Sequence, residues 1–121
     1  MRTRAEKLTE FPLPSGSVLV DEANFIVDPK TWTPEFAEAV AEIEDIELTP
    51  RHWAIIKYMR EYRDDHGIAV DARYVFKFLS ETEGLNKHDA KELFFKLFPY
   101  GYVKQACKMS GMKYPRAWST G

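Results

Sequence analysis

The sequence predicts a mainly α protein: a small N-terminal β-hairpin, a five-helix bundle with a helix-turn-helix-like part, and an extended C-terminal arm. Three observations carry that expectation. The pairs Thr33-Pro34 and Thr49-Pro50 are helix starts, Asp71 and Asn86 stand where further helices would be capped, and the β-favouring runs are short and confined to the N-terminal third. At 121 residues, 45% hydrophobic and 14% aromatic, the chain can bury one core without cross-links.

Residues 1–17 mix charge, proline and serine without periodicity and are expected to form a mobile leader. Val18 to Val20 and Phe25 to Val27 flank "DEAN" and predict the hairpin, which needs helices to pack on. Thr33 then caps a helix running to about Glu44, with Pro34 in the first helical position and Glu35 placing negative charge in the first turn. Phe36 occupies the place where a capping box wants Glu or Gln, so that box is absent.

Thr49 opens a second helix through Trp53, Ile56, Met59 and Arg60, with its stop at Gly67. Asp71 caps a third, whose Val75, Phe78 and Leu79 face inward and which ends before Gly84. Asn86 caps a fourth, "KHDAKELFFKLF", broken by Pro99; a fifth runs from about Gly101 to Ser110 and stops at Gly111. The domain is therefore expected over 18–111, and 112–121, which holds Pro115 and no amphipathic period, is the arm.

A formal charge of −2 gives no general attraction to nucleic acid or anionic lipid, so any basic site must be local. No stretch approaches the roughly 20 apolar residues of a membrane helix, and no secretory signal is expected, since no apolar run follows the N-terminal charges. The single cysteine, Cys107, excludes an intramolecular disulfide and points to a reducing, cytoplasmic setting.

Cys107 is the strongest nucleophile available. Lys104, on the same helical face, and Lys108 favour its thiolate, while the negative end of a helix favours the thiol, so the direction of its pKa shift stays open at this level. The plainer alternative is a buried, inert cysteine. Arg73 and Lys77 lie one turn apart and, with Lys104, could form a cationic patch for an acidic partner or a sulfite-like anion, or simply a solvated face.

His52, His66 and His88 fall on different helices or helix ends with no ligand pair at i, i+4, so no metal or other cofactor is expected. Glu42, Glu44, Asp45, Asp64 and Asp65 read as solvated charge, and neither a catalytic triad order nor a phosphate loop occurs. That pattern disfavours a self-contained hydrolase or kinase. The stretch "HGIAVDARYVF" imitates a helix-turn-helix, but the acidic balance and its apolar side chains argue against a nucleic-acid face.

Three stretches, "LTPRHW", "MREYRDDHGIAVDARYVFK" and "LFPYGYVKQACKMSGMKYP", resemble the DsrC/TusE family of sulfur-carrier proteins, which includes the gamma subunit of dissimilatory sulfite reductase. The resemblance runs from about Val20 to Pro115 and implies a helical bundle with an N-terminal hairpin and a C-terminal arm. Full-function members carry two cysteines in the C-terminal region, one matching Cys107 and one near the chain end, and shuttle sulfur between them as a trisulfide. Their partners are siroheme sulfite reductase and a disulfide reductase. The tRNA-thiolation relatives keep the terminal cysteine and load it as a persulfide. Here the terminal position falls on Trp118, so the two-thiol cycle is not available.

The resemblance also matches Arg73, Lys77 and Lys104 to basic positions of the family, and it leaves Trp118 as an aromatic anchor for a partner's pocket. Three functions follow as expectations. The first is a cytoplasmic protein that docks on a sulfite reductase-like or other sulfur-transfer enzyme, with a cysteine-bearing paralogue as a further partner, and carries sulfur on Cys107 as a persulfide or mixed disulfide. The second is a non-redox docking or regulatory subunit in which Cys107 is structural. The third is a DNA-binding regulator.

Overall fold

The computed structural model describes residues 8–113. Two antiparallel strands, β1 (Thr9–Phe11) and β2 (Val18–Val20), precede α1 (Pro34–Ile43), α2 (Pro50–His66), α3 (Ala72–Glu83), α4 (Lys87–Leu97) and α5 (Tyr102–Cys107), with one 3-10 turn at Pro29–Thr31. The mainly helical fold with an N-terminal hairpin is as the sequence indicates.

The arms of the hairpin differ from expectation. β2 pairs with Thr9–Phe11, inside the segment expected as leader, and Phe25 to Val27 touches the sheet through a single bridge, Val20 to Ile26. Asp21 explains the difference: its carboxylate accepts the backbone N–H groups of Ala23 and Phe25, both at 2.9 Å, and turns the chain sharply through Asn24 at φ 69°. Phe25 and Ile26 then both enter the core, which a strand with alternating faces cannot do. β1 is held by Phe11 against Phe36, ring centroids 5.3 Å apart, and Ser15 behind it donates its hydroxyl to Glu35 at 2.5 Å. Ordered structure thus reaches back past the boundary at residue 17.

Helix limits follow local punctuation. Asp71 accepts from the Arg73 N–H and Asn86 from the Asp89 N–H, and Gly67 and Gly84 end their helices in the left-handed conformation. Thr33 is the exception: its hydroxyl caps nothing and is buried without a hydrogen-bond partner among the described residues. α1 relies instead on burial of Phe36, Ala37, Val40 and Ala41.

His52 holds two helices together. Its Nδ1 accepts the Thr49 N–H at 3.0 Å, taking the reciprocal part of a capping box, and its Nε2–H donates to the Leu97 carbonyl at 2.8 Å, at the end of α4. That pattern needs the neutral ring. The core around it joins Phe36, Ile55, Met59, Leu79, Phe94 and Phe98, all buried.

The last helix is wound as a π-helix and closes by a double turn, in which the Gly111 N–H donates to Lys108 and the Met112 N–H to Cys107. Met112 is buried, so the expected arm boundary at 112 falls one residue too early. Gly111, at φ +76°, lies under Trp32 and Arg60; a Cβ there would meet Trp32 Cγ at 2.6 Å and Arg60 Nη1 at 2.8 Å.

Two outcomes are expected. Gly67 shares the backbone conformation of Gly111 but faces open space. Gly67→Ala should therefore cost roughly 1–2 kcal/mol of conformational strain, and Gly111→Ala about 1–3 kcal/mol more from the clash, read from urea midpoints; equal losses would refute the close approach. Burial lowers the His52 pKa below its usual 6.5, against the Leu97 carbonyl, which favours the proton. The unfolded chain then takes up the proton first, so stability should be full above 6.5 and fall on acidification below it. His52→Gln, which keeps a capping side chain without titrating, should flatten that part of the melting-temperature profile.

Candidate functional site

Cys107 is placed by α5, and α5 is anchored at both ends by polar contacts from distant segments. At its C-terminal end the Trp32 indole N–H donates to the Met109 carbonyl at 2.8 Å. Arg60 lies over the Trp32 ring, 4.4 Å from its centroid, and donates to the carbonyls of Ser110 and Pro29, each at 3.0 Å. Glu44 accepts from the Gln105 amide at 3.0 Å and pairs with Lys108 at 3.3 Å, while the Gln105 side-chain carbonyl oxygen accepts the Tyr100 N–H at 2.8 Å. Glu44 is thus a structural carboxylate, not the solvated charge expected from its position at a helix end.

Between these anchors the thiol is sealed in the core, with no exposed surface. Burial pushes it up to about 12, with the Tyr102 hydroxyl pulling the other way. That hydroxyl donates to the Val70 carbonyl and reaches the thiol across the widened π turn. The opposing pulls of Lys104, Lys108 and the helix dipole therefore do not decide the protonation state: Lys104 points to solvent, and Lys108 is engaged by Glu44. As folded, Cys107 is buried and its surroundings favour the neutral thiol.

The expected cationic patch is divided. Arg73 and Lys77 do come together, in a cleft of about 450 Å³ lined also by Tyr74, Phe76, Ser80 and Lys87. Lys104 is not among the lining residues; it stands exposed on α5, whose neighbours Gln105 and Lys108 are tied to Glu44 instead. Lys87 was missed at the sequence level, since only the α3–α4 turn carries it across to α3. Trp118 lies outside the described residues.

A larger cleft of about 670 Å³ follows α1 and is lined by Glu38, Glu42, Asp45, Glu47, Leu48 and Trp53, among others. His88, Asp89 and Glu92 bring their ligand atoms within 4.8 Å of one another, and His88 with Glu92 is an i, i+4 pair of possible ligands where none was expected. The positive end of α4 and the neighbouring Lys87 and Lys91 oppose a cation there, and all three side chains are exposed. None of the described helices is long and apolar enough to cross a membrane.

Comparison with known proteins bears on this arrangement. A family model described as DsrC like protein matches residues 14–117. The sulfurtransferase TusE homolog of Haemophilus influenzae is 32% identical over 98 residues, covering 81% of this chain and 89% of that protein. Sulfurtransferase TusE of Escherichia coli is 28% identical over 95 residues, covering 78% and 86%. Among solved structures, Allochromatium vinosum DsrC superposes with a TM-score of 0.80 at 29% identity, over 93% of this chain and 100% of that one. The oxidized gamma subunit of the dissimilatory sulfite reductase from Archaeoglobus fulgidus gives 0.78 at 31%, over 92% and 100%.

Removing the phenol oxygen tests the seal around the thiol. Tyr102→Phe leaves the buried Val70 carbonyl without this donor and should cost about 1–3 kcal/mol, measured by urea denaturation. Cys107 should stay unreactive in the folded variant, because burial is the larger influence on it. Fast native labelling of the variant would show that the hydroxyl, and not burial, protects the thiol.

Proposed function

The chain belongs to the DsrC like protein family, and we propose that it serves a sulfur-relay or sulfite reductase complex as a docking subunit whose Cys107 is structural. One observation carries this reading: the family's carrier-helix cysteine is fully buried and held as a neutral thiol. A persulfide forms when a thiolate attacks a sulfur donor, or when a sulfur nucleophile attacks an oxidised cysteine, and either route needs solvent access at the sulfur atom. Here access requires α5 to leave contacts made by Trp32, Arg60, Glu44 and Val70.

What remains for the folded protein is recognition. Relatives are sulfurtransferases and a sulfite reductase gamma subunit. Docking on such an enzyme, or beside a cysteine-bearing paralogue, uses the family scaffold without a two-thiol cycle, for which the one cysteine of the sequence is not enough. A reducing cytoplasm fits the unpaired cysteine. The net negative charge of the chain weighs against the DNA-binding alternative.

Alkylation kinetics test the reading. Iodoacetamide at neutral pH should label native Cys107 at least about a hundredfold more slowly than the urea-unfolded chain, the protection that core burial gives when labelling waits on opening. Labelling at the unfolded rate would overturn it. So would an added sulfur atom in the intact mass after exposure of the native protein to a polysulfide donor, absent from Cys107→Ser.

A further inference from the structure

We infer that the α3–α4 cleft is a docking groove for a short acidic segment of a partner protein, one with an aromatic or aliphatic anchor among its carboxylates. The inference deepens the docking role proposed above by assigning it a surface and a partner chemistry.

The lining supplies three cations, Arg73, Lys77 and Lys87, and no carboxylate. Lys91 extends the same face, its ammonium 5.9 Å from the Phe76 ring centroid. Among the described residues no carboxylate lies within ion-pair distance of Lys77, Lys87 or Lys91, whereas Arg51, Lys57, Arg73 and Lys108 each have one. Arg73 is shared with Asp71 in an exposed pair, which costs little to exchange for a partner's carboxylate. A protein of net charge −2 therefore concentrates unneutralised positive charge on one face.

The floor is apolar. Tyr74 and Phe76 both line the cleft, Tyr74 45% exposed, and Phe95, 37% exposed, stands 6.2 Å from Phe76 just outside the lining, so an apolar side chain entering the cleft meets aromatic surface beside the cations. A ring or aliphatic side chain buried there provides the desolvated centre of an interface, and the lysines on the rim steer and orient it. Nucleic acid suits the site less well, since a net charge of −2 gives a long polyanion no general attraction to the protein, while a short segment needs only the local cations.

The test is an NMR titration of the ¹⁵N-labelled full chain with a peptide of about 12 residues, Asp and Glu alternating with Phe and Leu. Its Asn/Gln counterpart and an oligothymidylate of similar length serve as comparisons. Shifts should centre on residues 73–80 and 87–95. Affinity should fall about tenfold in Lys77→Gln/Lys91→Gln, and again between about 50 and about 300 mM NaCl. Both lysines are exposed, so the variant's spectrum reports directly whether the fold is kept. Scattered or absent shifts, equal binding of the uncharged peptide, an unchanged affinity in the double variant, or stronger binding of the oligonucleotide would each overturn the assignment. Any of these would leave the buried-thiol reading standing, since Cys107 labelling reports on it separately.

Discussion

The Arg60 guanidinium is the constraint on which the C-terminal half depends. It lies against the Trp32 face and donates to the carbonyls of Pro29 and Ser110, joining the turn before α1, the middle of α2 and the end of α5. Burial lowers its pKa, but an arginine starts so high that the charge persists at any ordinary pH. A planar cation with several fixed donors can satisfy two carbonyls and stack on a ring at once. Lysine, a single point of charge, would leave one of these contacts unmade.

That clamp explains why residue 111 is glycine. The chain must pass beneath Trp32 and Arg60 in a left-handed turn, so both the space and the φ angle exclude a side chain. With the end of α5 fixed there, and its other side tied to Glu44 through Gln105 and Lys108, the segment between is committed to the core. The π winding brings Tyr102 within reach of Cys107, and the phenol is itself anchored on Val70. The thiol is buried because the scaffold around it is held from several directions, and the docking role proposed above rests on that burial.

Electrostatically the surface is bipolar. Cations converge between α3 and α4, and carboxylates gather beyond the end of α1. Composition reported only the near-cancelled sum. A partner carrying one sign of charge is therefore directed to one face, and the small net charge of −2 conceals that direction.

The sequence by itself determined where α2, α3 and α4 begin and end, because caps and stops are contacts within a few residues: Asp71 to the Arg73 N–H, Asn86 to the Asp89 N–H, Gly67 and Gly84 in left-handed turns. It also placed Arg73 and Lys77 on one face, since a helical turn brings them together. Tertiary structure decided the rest. Phe25 and Ile26 are pulled into the core by contacts a β-propensity does not contain, and Thr9–Phe11, with no strong local signal, becomes a strand because Val18–Val20 is there to pair with it. Whether Cys107 is exposed and why Glu44 is not solvent charge rest on groups 30 or more residues apart, such as Val70 with Tyr102 and Glu44 with Gln105, and Lys87 joins the cationic cleft only because α4 folds back on α3. Local chemistry sets element boundaries; burial and charge neutralisation depend on what the fold brings alongside.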